Sequence, residues 1–279
     1  MLFRWLVCII LVCTSVSAYK CHYGIHCQDV RIGLGTYYAN FSSVALLTDV
    51  NSHNLGGFVS FEDSHYWKWF YFSANLAAGI AGSTINAISS EKGQTTIKDK
   101  SFFVIAEPRI GINLGSLSRP TFIYTTLFAE IYDFGFSNKI GRFRDVMMFW
   151  GLGVFHRFML TPKFNLEAQS SFSMDINHRY TGYGFDTRSR LFDGSYKAEL
   201  SLGILYRGNA YNSVEDLGEV LAQKSSFEMP DFYAKIKGMY YHMNALTMPY
   251  LDTQTIHHPE ANNFVLMLEF GIGLNAPFN

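Results

Sequence analysis

Residues 163–177 restrict the possible fold more than any other stretch, because their apolar and polar side chains alternate without interruption. An alternation of period two places successive side chains on opposite faces of a β-strand, and a helix of period 3.6 cannot accommodate it. The stretch is longer than most strands of soluble domains, and it matches the roughly 9–11 residues that a tilted strand needs to cross a bilayer. One face is apolar: Phe164, Leu166, Ala168, Ser170, Phe172, Met174 and Ile176.

The same alternation recurs along the chain and predicts ten strands. Short and long connections alternate between them, as expected for antiparallel strands that cross a membrane repeatedly. We therefore predict an all-β fold, a closed antiparallel transmembrane β-barrel, with one short helix in a loop at residues 213–222. That helix lies in a connection expected to be short, which indicates either a miscounted strand or a small element beneath the barrel. The predicted strands are 30–40, 55–61, 66–80, 101–115, 121–134, 145–160, 163–177, 194–206, 231–241 and 263–275. Polar turns are predicted at 51–54 and 62–64. Pro108 removes one ladder donor from the fourth strand and predicts a bulge or a local break in pairing there.

Composition supports a membrane location without a membrane-spanning helix. Charged residues make up 16% of the chain, compared with about 25% in a typical soluble domain. No apolar run reaches the roughly 20 residues of a transmembrane helix, and only a closed barrel otherwise satisfies its backbone hydrogen bonds in lipid. The net charge of −1 argues against nucleic-acid binding, which requires a basic surface.

The first residues have the features of a secretory signal peptide. Arg4 precedes an apolar segment, and the small residues Val16, Ser17 and Ala18 form a cleavage site. We therefore predict a signal peptide at 1–18, a cysteine-bounded segment at 19–29 and the barrel at 30–279.

Cys21 and Cys27 bound the segment that follows the signal peptide. In an exported chain such a pair predicts a small disulfide loop. The alternative is a zinc site that includes His22 and His26, although known structural zinc sites have differently spaced ligand pairs. We predict the disulfide, and we predict neither a bound metal nor a cofactor.

Most charged residues of the predicted strands fall in the polar rows, where six cations balance six anions. A narrow lumen requires such a balance, because buried charges persist only when they are paired. A soluble ligand-binding barrel would instead keep its apolar rows inside. The predicted lumen charge network consists of Glu107, Arg109, Glu130, Arg157, Glu167, Lys197, Glu199, Lys237 and Glu269, and the balance also includes Arg31, Lys235 and Asp175.

Taken together, the signal peptide, the alternating strands and the final segment 271–278 resemble the small bacterial outer-membrane β-barrel proteins. That segment carries Gly271, alternating apolar residues and an aromatic residue, although Phe278 is penultimate and follows Pro277. The resemblance implies export to the bacterial outer membrane and insertion by the barrel-assembly machinery through the C-terminal strand. It also implies contact with outer-membrane lipids and lipopolysaccharide.

The sequence favours a non-enzymatic barrel with a largely filled lumen: a narrow channel, a structural barrel or a protein that binds extracellular ligands through its long connections. Bulky residues predicted to point inward (Tyr124, Phe128, Phe149 and Phe155) indicate low conductance. The long connections at 83–100, 177–193 and 242–262 are either binding surfaces or ordinary solvated loops.

The alternative function is an outer-membrane hydrolase that acts on lipid or peptide. Lipid hydrolysis requires a serine and a histidine in contact. The best pair, His156 and Ser170, is expected to lie about two residues out of register. For peptide hydrolysis the candidates lie in the predicted long connections: His178, Asp186, Asp252, His257 and His258.

Overall fold

A computed structural model describes residues 20–22, 26–45, 48–89, 93–135, 143–182, 185–188, 193–208, 230–250, 254–258 and 260–274. Within these ranges it contains fourteen strands: β1 (Lys20–His22), β2 (His26–Ala45), β3 (Thr48–Trp67), β4 (Phe70–Ser89), β5 (Gly93–Asn113), β6 (Thr121–Phe134), β7 (Phe143–Met159), β8 (Phe164–Gly182), β9 (Phe185–Arg188), β10 (Tyr196–Tyr206), β11 (Asp231–Met243), β12 (Leu246–Tyr250), β13 (Gln254–His258) and β14 (Ala261–Gly273).

Ten of these strands form a closed antiparallel barrel. Each pairs with its neighbours in the order β2-β14-β11-β10-β8-β7-β6-β5-β4-β3, and the pairing of β2 with β3 closes the ring. β1 extends the sheet beside β2, β9 pairs with β8, and β12 and β13 form a separate hairpin. The prediction of a closed barrel with ten antiparallel strands is confirmed.

The barrel has two different ends. Short connections join β3 to β4, β5 to β6 and β7 to β8 at one end, where β2 also begins and β14 stops; we call this the turn end. The opposite end, the loop end, carries the β12–β13 hairpin. The predicted helix at 213–222 lies outside the described residues. No helix in the described part of the chain is long and apolar enough to span a membrane.

The wall is taller on one side than the sequence predicts. β2 to β5 are 20 or 21 residues long, whereas β10, β11 and β14 have 11 to 13. The predicted turns at 51–54 and 62–64 are wrong, because both lie within β3 and pair with β2 and β4. Much of the predicted loop 83–100 is likewise strand, in β4 and β5. In these regions polar residues occupy both faces of the strands, so the alternation of apolar and polar side chains is lost. The backbone pairing nevertheless continues.

Pro108 interrupts the pairing between β5 and β6, as expected for a residue without a backbone N–H. The ladder pairs Ala106 with Ala129 and resumes at Arg109 with Thr126. The Thr126 hydroxyl donates to the Pro108 carbonyl at 3.2 Å and so partly replaces the missing contact. The predicted local break at Pro108 is confirmed.

The outer surface of the barrel is apolar, and the polar rows face inward. Ile80, for example, keeps 71% of its surface exposed, while the charged side chains of the neighbouring inward rows are buried. Soluble barrels have the opposite arrangement. The predicted orientation of the two faces is confirmed. The exposed apolar set includes Leu34, Leu55, Val59, Phe72, Ile110, Leu152, Phe172, Leu200, Leu202, Ile204, Leu266, Leu268 and Phe270.

Candidate functional site

The candidate site is the lumen, because the strand alternation directs the charged side chains into it. All nine residues of the predicted charge network are buried there. They fall into three groups of ion pairs, each described below.

The first group, the Arg31 cluster, consists of Asp29, Arg31, Arg157 and Glu167. The Arg31 guanidinium donates to both oxygens of Glu167, at 2.7 and 2.8 Å, and to both oxygens of Asp29, at 2.7 and 3.0 Å. Arg157 donates to Glu167 at 2.7 Å and to Asp29 at 2.8 Å. Two cations therefore balance two anions with forked geometry, the strongest form of such pairing.

The second group, the Lys197 cluster, consists of Glu107, Arg109, Glu130, Lys197, Glu199 and Lys237. Arg109 donates two hydrogen bonds of 2.7 Å to Glu107 on the same strand. Lys237 lies 3.1 Å from Glu199 and 3.7 Å from Glu107. Lys197 pairs with Glu130 and lies 3.6 Å from Glu199. Three cations balance three anions.

The third group joins Glu62, Lys235 and Glu269. The Lys235 ammonium lies 3.2 Å from Glu269 and 3.6 Å from Glu62. Ser60 and Tyr233 each donate a hydrogen bond of 2.6 Å to Glu269. This group has two carboxylates and one cation. The two hydroxyl donors therefore stabilise the Glu269 carboxylate in place of a second cation.

Apolar side chains fill the lumen around the ion pairs. Toward the turn end, Tyr66, Tyr71, Phe122 and Tyr124 pack together with Phe155. A larger cluster occupies the half toward the loop end. Its members include Tyr37, Phe41, Phe58, Phe103, Phe128, Tyr132, Phe134, Phe143, Met147, Phe149, Tyr180, Met239, Tyr241 and Met267. The lumen thus resembles the packed core of a soluble protein.

A small cavity beside the Arg31 cluster illustrates how little space remains there. Its volume is about 10 Å³, and its lining includes Asp29, Arg31, Tyr66 and Arg157. This volume accommodates about one water molecule. Both arginines of the Arg31 cluster bind the Glu167 and Asp29 carboxylates, so the cluster is suited to holding strands from different sides of the barrel together.

The histidine and serine candidates for hydrolysis do not form a catalytic pair. His156 pairs with Ala168 and Ser170 with Val154, so the expected offset of two residues is confirmed. His156 instead contacts the Thr121 hydroxyl at 2.7 Å on the outer surface near the turn end. His178 contacts Asp145 at 3.2 Å inside the lumen, but these residues are only 3% and 6% exposed. Asp252 lies outside the described residues. Asp186 lies in β9, and His257 and His258 lie in β13.

Cys27 is in a disulfide. It lies at the start of β2, and Cys21 on β1 is its directly opposed partner in the ladder. No group of three or more metal-ligating residues occurs within the part of the chain that the structure describes.

Two charged residues of the site, Asp29 and Glu62, lie outside the twelve positions of the predicted charge balance. Asp29 precedes the first predicted strand, although it continues the inward row of Arg31. Glu62 lies in an acidic triplet that resembles a turn, although it continues the inward row of Ser60 and Tyr66. Extending each row by one or two positions of the same parity would have included both.

The geometry defines the class of protein: a closed ten-stranded antiparallel barrel with an apolar exterior and a charge-paired interior, the fold of bacterial outer-membrane β-barrel proteins. Solved structures of that class are similar to it. The outer-membrane protease OmpT from Escherichia coli matches with a TM-score of 0.61 and 8% identity, over 92% of this chain and 99% of that chain.

Two outer-membrane transport proteins also match. An outer-membrane channel from Pseudomonas putida F1 has a TM-score of 0.34 and 9% identity, over 91% of this chain and 97% of that chain. The toluene transporter TodX of P. putida has a TM-score of 0.29 and 10% identity, over 92% of each chain. No family model and no curated protein sequence matches. At 8% identity, the similarity to OmpT concerns the fold and assigns no activity.

Proposed function

We propose that this protein is a sealed, non-enzymatic barrel of the bacterial outer membrane that acts through its loop end. The observation that carries the proposal is the filled lumen. Side chains from opposite walls meet within hydrogen-bond distance in the ion clusters and in the apolar cluster, for example Tyr132 and Tyr241, whose hydroxyls lie 3.2 Å apart. Such contacts oppose the passage of solutes, whereas open porins use about 16–18 strands.

The proposal includes a route to the membrane and an orientation within it. The signal peptide at 1–18 would direct export, and the barrel-assembly machinery would recognise the C-terminal strand β14. The apolar band would contact outer-membrane lipids, with the turn end in the periplasm and the loop end outside. The tall β2–β5 wall would then project at the outer end, where its polar strands and the β12–β13 hairpin are available to extracellular ligands.

Conductance in planar bilayers tests the sealed lumen directly. The folded protein, verified by heat-modifiable gel migration, should give no large, steady openings when reconstituted at the protein densities at which a general porin conducts. Large, steady single-channel steps in a pure preparation would overturn the proposal.

The second candidate is an outer-membrane hydrolase, and the His178–Asp145 contact is the observation that favours it. A histidine beside a carboxylate is a common general base. Their burial argues against contact with a macromolecular substrate. Release of labelled peptide or lipid from intact cells, compared with the His178→Ala and His257→Ala variants, separates the candidates. Hydrolysis that the wild type performs and either variant loses would replace the scaffold proposal by the hydrolase.

A further inference from the structure

The tall wall of the barrel ends in a strand edge at the loop end. β5 pairs with β4 from Gly93 onward, whereas its pairing with β6 begins only at Ser101, opposite Phe134. Within the described part of the chain, no strand pairs with the second edge of residues 93–100. We call this stretch the β5 edge. At roughly 3.3 Å per residue it is about 26 Å long.

One hydrogen bond shows which backbone groups point away from β4 along this edge. The Gly135 N–H donates to the Lys100 carbonyl at 3.0 Å, so the Lys100 carbonyl points toward the side on which β6 lies. Backbone groups of an antiparallel strand point alternately to its two neighbours, so those of Thr96 and Lys98 point to the same side. The Lys100 N–H donates to the Asp99 carboxylate at 2.7 Å. The β5 edge therefore offers the N–H and carbonyl groups of Thr96 and Lys98 to an added strand.

The side chains along the β5 edge differ between the two faces of the wall. Thr96, Lys98 and Lys100 have the parity of the outward residues, and all three are exposed. Neither lysine forms an ion pair with any residue that the structure describes. Ile97 has the opposite parity and packs against the apolar cluster of the lumen. An added strand would thus meet positive charge on its outer face and an apolar surface on its inner face.

We propose that the β5 edge binds an extended segment of an extracellular protein as an additional strand, and that acidic and apolar residues alternate in this segment. Acidic side chains would lie beside Lys98 and Lys100, since opposite charges on neighbouring strands attract each other. Apolar side chains would lie beside Ile97. In strand addition the main-chain hydrogen bonds provide affinity, and alternate side chains provide specificity. This inference rests on the proposed function, which places the loop end outside the cell, and names a class of partner for that end.

Charge disfavours two other occupants of the β5 edge. A second copy of the chain, paired edge to edge, would bring a second set of lysines to the same place, and like charges on neighbouring strands repel each other. The connection 136–142, which follows β6 in sequence, contains Lys139 and Arg142 and no acidic residue. An acidic segment of another protein has the complementary charge.

Fluorescence polarisation with a labelled peptide tests the proposed charge recognition. The probe is a peptide of about six residues, a common strand length, in which glutamate and valine alternate. The folded barrel in detergent should bind it, and should not bind the same peptide with lysine in place of glutamate. The double variant Lys98→Glu/Lys100→Glu should lower the apparent affinity about tenfold, because two attractive cross-strand pairs become repulsive. The double variant Lys68→Glu/Lys163→Glu makes the same change of net charge with exposed lysines at the turn end, and should bind as the wild type does.

A second pair of variants tests the backbone contacts. Thr96→Pro removes an N–H that points away from β4, so the pairing with β4 stays intact, and proline is tolerated on edge strands. It should lower the apparent affinity about 5–10-fold, because a main-chain hydrogen bond to the peptide is lost. Thr96→Ala removes the hydroxyl that donates to Asn86 at 2.9 Å but keeps the N–H, and it should bind as the wild type does. Heat-modifiable gel migration shows that each variant has folded.

The inference is overturned if the wild type does not bind the acidic peptide, or if either the double glutamate variant or Thr96→Pro binds it as tightly as its control. Dimerisation of the wild type that Thr96→Pro abolishes would assign the edge to a second copy instead. These results leave the proposed function intact when the protein still inserts into bilayers without large, steady openings. Failure to insert into any bilayer would refute the proposed function itself.

Discussion

Asp29 and Arg157 lie on diametrically opposite strands, yet the Arg157 Nη2 atom is 2.8 Å from Asp29 Oδ2. The ring places β2 and β7 five steps apart in either direction. Lys237 and Glu107, on β11 and β5, are also five steps apart and lie 3.7 Å from each other. The barrel is therefore narrow enough for charged side chains to bridge its full width, and the opposite walls share their ion pairs.

Removing one carboxylate from the Arg31 cluster should destabilise the barrel strongly. Glu167→Gln leaves Arg31 and Arg157 with Asp29 as the one remaining carboxylate of the cluster. Breaking a buried pair in this way costs about 3–5 kcal/mol, because an uncompensated charge stays buried. Urea titration of the vesicle-inserted protein measures the change in unfolding free energy.

The control for this variant is Glu260→Gln. Glu260 is 62% exposed and lies 3.8 Å from His242. Because the Glu260 carboxylate is largely in solvent, its contact with His242 contributes about 0–1 kcal/mol. Similar small losses in both variants would contradict the importance of the cross-lumen cluster.

Gly153 should be required for Tyr124 to fill the lumen. A Cβ at Gly153 would collide with the Tyr124 ring, which lies directly opposite on β6. Gly153→Val should therefore cost about 1–3 kcal/mol, as overpacking does. The second substitution Tyr124→Ala should recover part of that loss, because it vacates the space. A double-mutant cycle with no coupling between the two sites would show that the glycine has another role.

The alternation of side chains was sufficient to predict the ten strands and the inward direction of the charges, because both follow from the period of a strand. The extra height of β2–β5 was not predictable in this way. Above the apolar band, polar residues occupy both faces of the strands, and they include Asn51, Ser52, Asn54 and Ser83. The backbone pairing continues there, but the side chains no longer alternate in a way that marks a strand. The contact of Asp29 with Arg157 was also hidden, since it depends on barrel closure and diameter rather than on local sequence.

Phe128 should be a stability-determining residue of the apolar half of the lumen. It is fully buried, and the Lys197 ammonium lies 3.4 Å from the centre of its ring. Phe128→Ala should cost about 3–5 kcal/mol, because a buried cavity replaces the ring and its attraction for the cation is lost. Phe128→Leu should cost less, since it keeps most of the volume. Equal losses in the two variants, measured by the same urea titration, would argue against tight packing.

The position of the apolar band in the membrane can be tested with two leucines of similar exposure. One lies in the middle of β7 and the other lies just after its end. Leu152, in the middle of β7, is 60% exposed, and Leu160, just after β7 at the turn end, is 62% exposed. If the band faces lipid, Leu152→Arg places a charge near the bilayer centre and costs about 2–4 kcal/mol, whereas Leu160→Arg near the interface costs about 0–1 kcal/mol. On a barrel surrounded by water, both substitutions would be nearly neutral, because each exchanges an exposed leucine for a solvated cation. Unfolding free energies in vesicles therefore distinguish the two environments, and the absence of any difference between the variants would contradict the membrane orientation.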